Sequence, residues 1–472
     1  MPESLQDNYP TVKVETEGIE LLGVPFGSDD FCKKMVEEKI LKCVELGSKF
    51  KRLNDLHYEY RMNNALLTFS NLTYILRTVP PRLINLEPWK NHIITTLQRL
   101  MMCREQEITE DVLTQAGFAV KDGGLGLRTD PYLPYAAYLA STISAESTVV
   151  NILRTPRWQC EEKEILIEKL TEVCGEEEIT KVLSSRKKLQ RRLCQQLDMT
   201  HKTRMINENN LARDAARISC FVDAGHGSEF LGAIPNENYR TKIPDREFAV
   251  ILRYRLGVRI YHPGETCNNC HDELDEFGDH ALHCKKGGFL SARHDAVRDF
   301  GIYMSQSAGL KPRKEPNYLR GMDSGEKPGD IVIHNTADTA DAYDVTIISP
   351  LQRNHVRKSI DNPRHVLRIA ERNKIRSYKP DENGEIAANV KLTPLAITSL
   401  GALSNDTDKF FLFIAQHLNF KWGYNAHTSK RFMMQQLSCL IQRFNAQAFL
   451  GRFNMKLGKK VAIIHDILTT VT

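Results

Sequence analysis

Residues 327–349 read KPGDIVIHNTADTADAYDVTIIS, and this stretch decides the architecture of the C-terminal part. Asp330 opens an apolar run (Ile331, Val332, Ile333), the polar HNTADTADA (334–342) makes a turn, and Asp344 enters a second run (Val345, Ile347, Ile348). Two β-branched runs joined by a polar turn predict a hairpin with both carboxylates at one end of a sheet. Such a pair does not stay doubly ionised cheaply unless a cation binds between them. It therefore suits magnesium or manganese, which would activate water and polarise a phosphate. The bland alternative is two ordinary strand-edge and turn aspartates.

Working outward, a helix over about 291–309 precedes the hairpin, a helix over about 352–373 and a strand at 391–398 follow it, and C-terminal helices close the chain. That order predicts a small α/β domain. Its polar residues extend the site. Arg293 and His294 at the start of the first helix could hold a phosphate, Glu315 in KPRKEP could approach the same metal, and Lys374 in ERNKIRSY could stabilise a pentavalent phosphate.

Immediately upstream, YHPGETCNNCHDELDEFGDHALHC (261–284) holds three of the eleven cysteines and four of the fifteen histidines. Cys267-x2-Cys270-x9-His280-x3-Cys284 has zinc spacing: one turn offers two thiolates, and a helical His-x3-Cys offers the other pair. His283 and His271 compete with His280. Four protein ligands leave no place for water, so the zinc would be structural.

The N-terminal half reads as mostly helical. GIELLGVPFGS (18–28) predicts a buried strand ending in a tight turn. Residues 31–53 repeat apolar positions as an amphipathic helix, and helices over 55–79 and 86–103 are separated by Pro80-Pro81. KDGGLGL (121–127) lacks the lysine-threonine of a phosphate-binding loop and reads as a structural turn, with a phosphate cradle as the weaker alternative. Between 150 and 220 the chain is charged and helical. There Arg186, Lys187, Lys188, Arg191 and Arg192 form either a solvated face or a phosphate-contacting stripe.

The chain has 472 residues, enough for two to four folded units at roughly 100–200 residues each. With 41% hydrophobic and 26% charged residues it is not a disordered tail. Lys plus Arg number 64 against 59 Asp plus Glu, so the net charge of +5 does not by itself announce a nucleic-acid binder. Sparse cysteines and an opening MPESLQDNYP predict a reducing, intracellular protein. No run approaches the roughly 18 apolar residues of a membrane span.

The ordered set of zinc knuckle, Arg293-His294-Asp295, Lys314-Glu315-Pro316, Pro328-Gly329-Asp330, Asp344 and a lysine before a tyrosine resembles the restriction-like endonuclease module of site-specific non-long-terminal-repeat retrotransposons. GIELLGVPFGS, TYILRTVPP and GGLGLRTDPYLPYAAYLAS resemble the palm end and thumb of the reverse transcriptase preceding that module. The resemblance covers residues 18–140 and about 245–400. It implies an α+β multidomain chain: a palm end and helical thumb (1–148), a charged helical linker (149–262), a zinc knuckle (263–290), a PD-(D/E)xK nuclease domain (291–400) and C-terminal helices (401–472). It further implies Asp330, Asp344 and Lys374 as catalytic residues with Glu315 accessory, structural zinc, catalytic magnesium or manganese, DNA as partner with element RNA admitted, and a nuclear location.

The chain departs from the pattern in three places. Thr346 stands two residues after Asp344, where many nucleases carry the lysine, so Lys374 must supply it, with Lys358 in competition. Gly329 separates Pro328 from Asp330. No Tyr/Phe-x-Asp-Asp tetrapeptide occurs, so no polymerase activity is expected. The alternative to a nuclease is a non-catalytic nucleic-acid-binding remnant using the zinc knuckle and the basic stretch.

Overall fold

The structure is a computed structural model, and it describes residues 17–66, 70–155, 158, 160–208, 211–222, 225–316, 329–336, 339–378, 385–387 and 389–452. Pro328 of the Pro-Gly-Asp run, Ala337 and Asp338 of the turn, and the two chain ends assigned to the first and last domains lie outside the described residues. The protein is α+β, mostly helical with one small mixed sheet in the C-terminal part. None of the described helices is long and apolar enough to cross a membrane.

The chain divides into two compact units, the first formed by residues up to 52, 62–95 and 127–203, the second by 53–61, 96–126 and 204 onward. These units do not follow the expected divisions at 148 and 262. The reason is an apolar stripe inside the supposed linker. Leu166, Leu170, Ile179, Leu193 and Leu197 are buried together with Leu133 and Leu139, so helices Lys163–Cys174, Glu176–Leu183 and the first part of Leu189–Asn207 share one core with helix Leu133–Leu153. Charged residues occupy only the faces left over.

In the first unit, GIELLGVPFGS is not a buried strand. It folds as a hairpin of β1 (Gly18–Leu21) and β2 (Val24–Gly27), turned by Leu22 and Gly23, both at positive φ. Positive φ at both central residues is what a tight two-residue hairpin demands. It leaves Ile19, Leu21, Leu22 and Phe26 exposed. Helix Asp29–Lys49 follows, its start capped by Ser28, whose hydroxyl accepts from the Phe31 N–H.

The second unit carries the sheet, in the order β3 (Pro312–Lys314), β4 (Ile331–His334), β5 (Ala340–Ile348), β7 (Val390–Thr398), β6 (Glu385–Ala387). Only the β5–β7 pair is parallel. A parallel pair needs a crossover, made here by helices Val356–Asp361 and His365–Tyr378. The expected single helix over 352–373 is thus two, broken at Asn362-Pro363, where proline cannot continue a helix.

Alternation assigns the faces of the sheet. Ile331, Ile333, Val345, Leu395 and Ile397 pack against helices Phe289–Ser307, Asn405–Trp422 and Ala426–Leu450 through Phe410, Phe411, Ile414 and Leu437. Each such side chain contributes roughly 1.5–3 kcal/mol by leaving water. The C-terminal helices, expected as a separate region from 401, therefore belong to the core of the sheet. On the opposite face Val332 and Ala342 lie under Tyr378, and Ala396 lies under Leu367 and Ala370.

The glycine turn at 121–127 is structural. The Arg255 guanidinium, fully buried on helix Asp245–Leu256, donates to the carbonyls of Val120 and Gly124. A Cβ on Gly124 would lie 2.1 Å from the Phe118 carbonyl oxygen.

Candidate functional site

The β4–β5 register pairs Ile331 with Tyr343. Carried one residue further it sets Asp330 opposite Asp344, on the face covered by helix His365–Tyr378. Gly329 makes this approach possible, because a Cβ there would lie 3.0 Å from the Tyr343 carbonyl oxygen. The inserted glycine thus has a steric reason. Both aspartates are buried, at 8% and 3% exposure, although burial penalises a charged carboxylate.

The surroundings separate the two carboxyls. Asp330 Oδ2 accepts from the Val345 N–H at 2.7 Å and lies 3.1 Å from His294 Nε2. Burial alone would raise its pKa, but the His294 hydrogen bond and charge, the Val345 N–H and the neighbouring Asp344 outweigh it, so Asp330 titrates low. Asp344 is shifted the other way, by burial first and then by the neighbouring Asp330, despite Lys374 Nζ at 2.7 Å from its Oδ2. Tyr378, one turn beyond Lys374, donates to Asp344 Oδ1 at 3.3 Å. The bond with Asp330 raises the pKa of His294.

Asp330, Asp344, Lys374 and His294 therefore converge, whereas the other residues of the predicted site do not all join them. His294 meets Asp330 rather than standing ready for a phosphate alone. Glu315 is engaged by the Arg298 guanidinium, and its N–H donates to the Asp330 carbonyl, so it anchors the strand that carries Asp330. Arg293 is 3% exposed and bonds Asn445 Oδ1 and the Leu282 carbonyl, and it also lines the cleft described below. Lys358 sits on helix Val356–Asp361 away from these contacts. In the first unit, Arg186 pairs with Glu146 and Arg192 donates to the Ser185 and Lys181 carbonyls, while Lys187, Lys188 and Arg191 are exposed. Two of the five basic residues thus have local structural work.

Cys267, Cys270, His280 and Cys284 place their ligand atoms within 4.8 Å of one another, so this group could hold a metal ion. His280 supplies the imidazole, and Cys270 Sγ lies 3.3 Å from its Nε2. Sequence reasoning missed two residues that shape this module. Asp275 accepts from the N–H groups of Phe277, Asp279 and His280 and so fixes the short turn His280–Leu282; an aspartate five residues before a ligand is a readable turn signal. Arg452, 1% exposed, donates to Cys267 Sγ at 3.7 Å and to the carbonyls of Lys286 and Ala281, with its guanidinium over the Phe289 ring. Nothing local announces it.

The thiols are prepared unequally. Burial would raise Cys267, yet the N–H groups of Asn269 and Cys270 and the His280 contact bring it down to about 6. Burial pushes Cys270 up to about 12. Three sulfurs and one imidazole around one point match the donor set of a closed zinc site, compatible with structural zinc.

A cleft of about 490 Å³ runs between this module and the acidic pair, lined by His283, Lys285, His294, Thr346, Gln352 and Lys374. The chain matches no known family model and no curated protein.

Proposed function

We propose that the second unit is a metal-dependent DNA endonuclease of the PD-(D/E)xK kind, carried by a protein derived from a non-long-terminal-repeat retrotransposon and lacking polymerase activity. The observation that supports this reading is the pairing of Asp330 with Asp344 under Lys374. Two buried neighbouring carboxylates leave one of them reluctant to ionise. The donor set, all oxygen, fits magnesium or manganese.

When bound, such an ion supplies Lewis acidity toward a phosphodiester and lowers the pKa of a water. Lys374 places its ammonium beside the pair, where it offsets charge developing on phosphorus-bound oxygen. His294 and the Val345 N–H hold Asp330 in one rotamer, and Tyr378 does the same for Asp344. Lys285 and Gln352 line the approach and suit phosphate contacts. The Cys3His module would carry structural zinc and wall this cleft. DNA is then the partner, and the nucleus the place of action.

The test is direct. Purified protein with magnesium should nick supercoiled DNA, and Asp344→Ala should abolish nicking while keeping the fold. Equal nicking by the variant overturns the assignment.

A further inference from the structure

Helices Asn405–Trp422 and Ala426–Leu450 meet at a corner whose sequence, FKWGYNAHTSKRF (420–432), contains four aromatic rings and three cations but no carboxylate. Its rings face water: Phe420 is 92% exposed, Trp422 56% and Tyr424 60%. Large exposed apolar surface of this kind marks a binding face.

Local bonds tie parts of the corner down. The Trp422 indole N–H donates to the Ser307 carbonyl at 3.1 Å, Asn419 holds the Tyr424 carbonyl, Gly423 ends the first helix at positive φ, and Asn425 caps the second. Lys421 Nζ lies over the Trp422 ring at 4.8 Å. Next to it opens an apolar groove of about 710 Å³, rimmed by Tyr239, Tyr303, Tyr424 and Phe432. Asp408 holds Lys430, which leaves Lys421 and Arg431 as the corner's cations without an ion pair among the described residues, and Asp299 is held by Arg298 and Lys314.

Solvent-facing rings flanked by cations, with Trp422 held in place by its indole N–H, suit an unpaired nucleic-acid strand, since bases stack on the rings and phosphates follow the charge. A protein partner would need no such excess of cations, and a stacked base needs a ring held in place. We propose that this corner is a stacking platform for single-stranded nucleic acid. The inference stands apart from the nuclease reading and makes no use of the acidic pair.

The full-length protein should bind fluorescein-labelled dT15 without divalent ions, with quenching of tryptophan emission that Trp422→Phe removes while retaining most of the affinity. Trp422→Ala combined with Tyr424→Ala should weaken binding about 30-fold or more, the sum expected for two stacked bases. Binding of dT15 is read without divalent ions and without cleavage, so failure of the cleavage assignment and failure of this one are read separately. Unchanged affinity of the double variant, or unquenched emission at saturation, overturns the proposal. So does a protein dimer that the double variant dissolves, which would make the corner an interface between copies.

Discussion

Asp330 and Asp344 face each other across a β-hairpin, and their surroundings push one toward ionisation and the other away from it. A divalent cation would let both ionise, so it binds the folded state selectively. Magnesium or manganese at one hundred times its dissociation constant should stabilise the protein by about 2.7 kcal/mol, a rise of several degrees in Tm. Asp330→Asn and Asp344→Asn should each erase that rise in thermal denaturation. A shift that survives in both variants places the ion elsewhere.

Lys374 and Lys358 compete for the role of catalytic lysine, and only Lys374 reaches the pair, with Nζ 2.7 Å from Asp344 Oδ2. Lys374→Ala should slow nicking by about 10²–10³-fold, the scale of losing one charge-stabilising donor, whereas Lys358→Ala should leave the rate unchanged. The reverse ranking in single-turnover assays would transfer the role.

The metal module should contain one zinc per chain by elemental analysis, lost in Cys284→Ser. Arg452 supports it from outside the ligand set. Arg452→Met should weaken zinc binding about 10- to 100-fold in chelator competition, as outer partners of metal sites do. Parental zinc affinity in that variant would reduce Arg452 to packing.

His57 lies buried against Phe248, its Nδ1 accepting from the Ile243 N–H. Burial, the leading cause, lowers its pKa from 6.5 to about 4. The unfolded chain therefore takes up this proton first as pH falls. Stability from keeping His57 neutral is complete above about pH 6.5 and drains away toward pH 4, up to about 3 kcal/mol. In urea titrations His57→Gln should flatten the loss over that window. An unchanged slope would show that other groups govern it.

Legibility in the sequence followed the range of the contacts. The cysteines, His280 and the acidic hairpin declare themselves because their partners lie within a short span. Lys374 was readable as a residue on the next helix. What escaped is long-range or runs against type: Arg253 and Arg255 are fully buried in a helix whose charges suggest a wet face, Arg293 spends its charge on Asn445, and Glu315 turns to Arg298. The pattern EFAVILRYRLGV (247–258), two arginines within an apolar run, was the available warning. The exposed hairpin at 18–27 was misread because a short apolar run does not show whether anything covers it.

The Arg452 clasp on the zinc module has a bearing on birth order. During synthesis the cysteines of 267–284 emerge long before residue 452 does, and the nascent module waits without the guanidinium that seats against Cys267. The helix that ends just before that arginine, Ala426–Leu450, also roofs the sheet. Knuckle, sheet and roof thus share contacts that only the last-made part of the described chain can complete.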